Sequence, residues 1–148
     1  ALGFFTKYLK PGQWKNDGGE ISFADNNYIQ PLIQNNSSIA ELCNLILSDN
    51  KDLVTKQLSE NQTTYSAMEN EISILSRMIM DHNTDYSIQL SLYNVKNHPD
   101  SWQAYFDLGN AQMKKGEKEE SKKSLLKAQE LNPENTDISK LLDELNQG

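Results

Sequence analysis

The stretch Ser101–Asn135, SWQAYFDLGNAQMKKGEKEESKKSLLKAQELNPEN, admits few folds. Trp102, Tyr105, Leu108, Gly109 and Gln112 recur at the spacing of one helix face. A side-chain oxygen of Asp100 or Ser101 can accept an orphan backbone N–H and start that helix. It runs to about Lys115, and Gly116 ends it in the left-handed conformation that a glycine adopts cheaply. A second helix follows from about Glu117 to Leu131, with Ser121, Leu125, Ala128 and Leu131 on one face. Asn132-Pro133 stops it, because proline cannot continue a helix and restricts the residue before it. So short a turn makes the pair an antiparallel hairpin. Gly109 and Ser121 let the two helices approach, and the larger residues fill the seam.

This pattern resembles the tetratricopeptide repeat, a helix-turn-helix unit of about 34 residues. The residues that carry the resemblance are Tyr105, the pair Leu108-Gly109, the turn glycine Gly116, Ala128, Leu131 and Pro133. Two positions depart from it. Gln112 stands where a tyrosine is usual, and Ser121 where an alanine is usual. The resemblance implies that first helices of successive repeats line a concave groove that binds peptide segments.

The same register extends upstream. Pro99 and Pro133 are 34 residues apart, as are Ser87 and Ser121, and Ile74 and Leu108. Residues 68–101 therefore read as a second, degraded repeat. Its first helix spans Ser66 to Asp81, with Ile72, Leu75, Met78 and Ile79 on one side. His82-Asn83 is the turn. Its second helix spans Asp85 to Asn97, with Ile88, Leu92 and Val95 as the apolar stripe, and Pro99 closes it. Leu75 takes the place of the repeat glycine and Asn94 that of the later alanine, so these helices must sit further apart or shift. Before them, Ser37-Ser38 with Glu41 reads as a capping box. Ile39, Leu42, Cys43, Ile46 and Leu47 form the stripe that follows. Asp49-Asn50 breaks it, and Asp52 to Gln62 carries the weaker stripe Leu53, Val54 and Leu58. Residues 37–64 thus form a degenerate hairpin. Thr136 to Leu145 is a terminal helix with Ile138, Leu141, Leu142 and Leu145 inward, which covers the seam of the last repeat.

Residues 1–36 read differently. Ala1 to Lys10 is a short amphipathic helix by pattern, with Leu2, Phe5 and Leu9 on one face. Pro11-Gly12 ends it, Glu20 to Phe23 alternates like a short strand, and residues 11–36 form an extended connector. The opening ALGFFTKYL reads as the interior of a larger protein. The expected fold class is all-α: TPR-like helical repeats over 37–148 in a short right-handed solenoid, with an irregular N-terminal extension and a C-terminal capping helix.

Composition and motifs exclude several functions. The hydrophobic share is 36 %, below that of an average globular chain, as expected of helices with polar outer faces. The net charge of −7 argues against nucleic acid, which needs a basic patch. No run approaches the roughly 18 apolar residues of a membrane span. His82 and His98 have no second ligand at metal spacing. A nucleophile elbow, a phosphate loop and a dinucleotide fingerprint are all absent. No catalysis and no cofactor are expected of this chain. The single cysteine, Cys43, reads as a buried small hydrophobe. The glycosylation patterns at Asn35, Asn36 and Asn61 are those an Asn-rich chain yields by chance.

Binding remains. The resemblance to the tetratricopeptide repeat implies that Ile72, Ser76 and Ile79 of the earlier repeat are groove-facing candidates, together with Phe106, Asn110 and Met113 of the later one. Asp107 stands where the family's clamp for a C-terminal carboxylate wants an asparagine, so an apolar or mixed segment is the expected ligand. Phe106 and Met113 can equally pack on the chain's own N-terminal segment. A further resemblance concerns residues 67–135. Asn94-Val95, His98-Pro99-Asp100-Ser101-Trp102, Leu108-Gly109 and Leu131-Asn132-Pro133-Glu134-Asn135 are similar to a C-terminal module of bacterial, especially Bacteroidetes-type, serine hydrolases. ALGFFTKYLKPG is similar to the last helix of an α/β-hydrolase. The leading expectation is a non-catalytic interaction scaffold, taking a protein or peptide partner, its own missing upstream domain, or a second copy. The alternative is an accessory domain of a hydrolase that shapes substrate access or dimerisation, which would suit a periplasmic or secreted setting.

Overall fold

Asn, Ser and Gly punctuation divides the chain into helices, and the capping geometry explains where each begins. The structure, a computed structural model, describes residues 37–147, with Ser37 described for its backbone alone. The expectations for residues 1–36 lie outside the described residues. Among the described residues there are eight helices and no strand. They are α1 (Ser37–Leu47), α2 (Lys51–Glu60), α3 (Gln62–Ser66), α4 (Glu69–Ile79), α5 (Thr84–Asn97), α6 (Trp102–Lys115), α7 (Lys118–Leu131) and α8 (Thr136–Gln147). The expected all-α class holds, and adjacent helices pack as helix-turn-helix repeats do. By its contacts the chain divides into two compact units, Ala1–Ile74 and Leu75–Gly148, with the boundary inside α4.

In the first unit, α1 packs on α2. Asn50 caps α2, its side chain accepting from the Leu53 backbone N–H, which satisfies one of the orphan donors at a helix start. Ile39, Leu42, Cys43 and Ile46 of the expected stripe are buried, as are Val54 and Leu58, while Leu53 is exposed. The five-residue α3 has no counterpart in the helical periodicity. It exists around Tyr65, whose ring is fully buried. The Tyr65 hydroxyl donates to the Ser38 carbonyl at 2.6 Å and accepts from Gln57 Nε2 at 3.1 Å. Gln57 Nε2 also donates to Glu41 Oε2 at 3.0 Å. One aromatic thus ties the end of this unit's helices back to α1.

In the second unit, α5 packs on α6, α6 on α7, and α8 on both α7 and α6. Three Asn or Ser caps start its helices. Asn83 accepts from the N–H groups of Asp85 and Tyr86, Ser101 from that of Ala104, and Asn135 from that of Ile138. Gly116 ends α6 at φ +93°, as its sequence position requires. Leu125, Ala128, Ile138 and Leu142 form the core between α7 and α8, with Trp102, Tyr105, Phe106, Leu141 and Leu145 packed against it. The expected role of the terminal helix as a cover is met.

The structure corrects the reading of α5. Its buried residues are Tyr86, Ser87, Leu90, Ser91 and Asn94, not the apolar stripe. Ile88 and Val95 are partly exposed, and Leu92 is 50 % exposed. Hydroxyl groups close the seam on this side. Ser76 Oγ lies 2.9 Å from the Ser87 carbonyl and 2.8 Å from Ser91 Oγ, and Ser87 Oγ donates to the Ser76 carbonyl at 2.8 Å. Small side chains with satisfied hydroxyls let the backbones approach, and burying them carries no unsatisfied-donor penalty.

Candidate functional site

The two hairpins of the second unit make one hydrogen bond in common. In the later hairpin, Ser121 Oγ donates to the Gly109 carbonyl at 2.6 Å. In the earlier one, Ser87 Oγ donates to the Ser76 carbonyl. The serines are 34 residues apart but the carbonyls only 33. Ser76, not Leu75, therefore occupies the place of the close-approach glycine. The earlier first helix is advanced by one residue, and Leu75 becomes the equivalent of Leu108, both of them buried. This is how the chain accommodates Leu75 without opening the hairpin.

That offset decides where the six expected site residues lie. Ile72 belongs to the first unit and is buried. Ser76 and Ile79 are buried too, Ser76 with its hydroxyl committed to α5. Phe106, Asn110 and Met113 remain partly exposed on α6. Phe106 packs partly on the α7–α8 core and stacks edge-on to Trp102, with ring centroids 6.1 Å apart. A 33-residue register makes Arg77 the equivalent of Asn110 and Met80 that of Met113. Arg77 is exposed and Met80 partly so. These two were missed in the sequence because the spacing of Pro99, Pro133 and the serines registers second helices only.

One ion pair joins the two first helices, and two more tie the turn after α4 and the start of α5 to the end of α6. Arg77 Nε pairs with Asp107 Oδ1 at 3.0 Å, the carboxylate side being 3 % exposed and the guanidinium side 45 %. Asp81 pairs with Lys114, and Asp85 with Lys115 at 2.9 Å. The polarity alternates along the contact, with cation then anion on the earlier hairpin. The Asp85 carboxylate, and then Glu117, raise the affinity of the Lys115 amine for its proton. Asp107 is thus spent on Arg77, and its place in the sequence is explained by packing between repeats.

No group of three His, Cys, Asp or Glu side chains that could hold a metal occurs among the described residues. Burial pushes the Cys43 thiol from 9.0 up to about 12, so it is protonated and poorly nucleophilic. No described helix is long and apolar enough to cross a membrane.

Comparison with known proteins gives a limited and specific result. No curated protein matches the chain, and the resemblance to serine hydrolases gains no support. Residues 103–135 match the family model of the tetratricopeptide repeat. These residues cover the hairpin α6–α7 and the proline that closes it, and the match supports a general role in protein interaction.

Proposed function

We propose that this chain is a non-catalytic interaction module of tetratricopeptide type. It takes an extended, apolar or mixed peptide segment across the open face of α6, in contact with Phe106, Asn110 and Met113. Arg77 and Met80 flank that segment. Ser76 and Ile79 are buried beneath them and hold α4 in place. Residues 37–148 form the helical-repeat domain in this reading. The observation that carries it is the contrast on α6. One side fills the seam with Leu108, Gly109, Ala111 and Gln112, while the other keeps an aromatic, an amide and a thioether partly open to solvent. Such a mixture of adaptable and aromatic groups suits a peptide in a groove.

A peptide-display library panned against the full chain provides the probe. The reading expects enriched peptides whose affinity falls about tenfold or more with Met113→Glu, at unchanged circular dichroism. Failure to enrich any peptide, or an affinity indifferent to Met113→Glu, overturns it.

A further inference from the structure

The outer face of α5 is apolar where an outer face is normally charged. Asp85, Ile88, Leu92, Val95 and Lys96 fall within one arc of the helix, opposite the buried Ser87, Leu90, Ser91 and Asn94. The equivalent positions on α7, 34 residues later, are Glu119, Lys122, Leu126, Gln129 and Glu130. Leu126 there is a single exposed leucine among polar residues, which is ordinary for a surface. On α5 the same leucine position has isoleucine and valine beside it and is 50 % exposed.

We propose that the outer face of α5 is the contact between two copies of this chain, packed antiparallel about a two-fold axis. The choice of a second copy rests on charge. Asp85 lies at the start of the stripe and Lys96 at its end. A two-fold axis at the level of residues 90 and 91 sets Lys96 of each copy against Asp85 of the other, and the leucines meet at the centre. The face is thus complementary to itself, as a closed dimer requires. The chain as a whole carries −7, which opposes self-association, but this stripe carries one acid and one base and is neutral. Asp85 keeps Lys115 beside it, and a carboxylate accommodates a second ammonium group. One helix pair covers less than the roughly 1,200 Å² of standard interfaces, so the dimer belongs to the micromolar range. This surface lies on a different helix from the proposed peptide face and stands or falls separately.

Sedimentation equilibrium of the full chain, from micromolar to near-millimolar concentration, tests it. The expected result is a monomer–dimer equilibrium that Leu92→Glu weakens about a hundredfold, since each dimer loses two central leucines. Leu126→Glu should leave it unchanged. Lys96→Glu brings like charges together at both ends and should weaken it. Circular dichroism of each variant should match that of the wild type. A monomer at every concentration, a dimer indifferent to Leu92→Glu, or equal loss with Leu126→Glu overturns the proposal. A dimer indifferent to Lys96→Glu overturns the antiparallel arrangement.

Discussion

A methyl group at Gly109 would sit 2.7 Å from Leu125 Cγ and 3.3 Å from the Leu125 backbone nitrogen. Neither atom is the end of a flexible chain, so α6 and α7 would have to move apart. Alanine is the better helix former by about 1 kcal/mol, yet overpacking costs about 1–3 kcal/mol. We predict that Gly109→Ala lowers the denaturant midpoint in spite of its propensity gain. Gly116 is different: no atom lies within 4 Å of an added Cβ, but φ is +93°. Gly116→Ala should lose about 1–2 kcal/mol from backbone strain alone. Cys43 offers a test by pH. Its thiol is pushed from 9.0 up to about 12 when folded, so the folded state favours the protonated form. Its contribution is complete below pH 9 and is lost as pH rises from there toward 12. Cys43→Ala should flatten the alkaline limb of the stability profile measured by chemical denaturation. The native thiol should also resist iodoacetamide until denaturant is added.

At the scale of the helix, the boundaries were legible and one of the faces was not. Gly116, Pro133, Asn83 and Ser101 marked turns and caps because each acts through its own backbone or a neighbour within three residues. Leu125, Ala128, Ile138 and Leu142 were legible as core because apolarity and burial coincide there. On α5 they part: the seam is closed by Ser87 and Ser91, whose hydroxyls find partners on Ser76, and the apolar stripe is left outside. Hydrophobic periodicity cannot report a seam of satisfied hydroxyls. It also could not report the one-residue advance of α4, since Leu75 and Ser76 are adjacent and only the hydrogen bond to Ser87 tells which fills the glycine's place. The exposure of Phe106, Asn110 and Met113 on α6 was therefore legible, and the burial of Ile72, Ser76 and Ile79 on α4 was not. Two substitutions on α5 separate the faces. Leu90→Ala should cost about 2–5 kcal/mol in denaturant unfolding, as a core deletion does. Leu92→Ser should cost under about 0.5 kcal/mol, as a surface change does. Equal costs would return the apolar stripe to the core.

For the molecule as a whole, the two units are held by different means. The first relies on Tyr65 and its hydrogen bonds to Ser38 and Gln57. The second relies on apolar layers and on the ion pair between successive first helices. Losing Arg77 leaves the Asp107 carboxylate at 3 % exposure without that guanidinium. Arg77→Ala should then cost about 1–3 kcal/mol, read as a drop in melting temperature. Self-association acts on the whole chain through mass action. The melting temperature of the wild type should therefore rise with protein concentration, and that of Leu92→Glu should not. The central claim is that recognition belongs to the open face of α6. Calorimetric titration of one display-selected peptide against Met113→Glu, Asn110→Arg and Leu92→Glu tests it most directly. The account predicts at least about tenfold weaker binding for the first two and wild-type affinity for Leu92→Glu. Loss of binding confined to Leu92→Glu would contradict it.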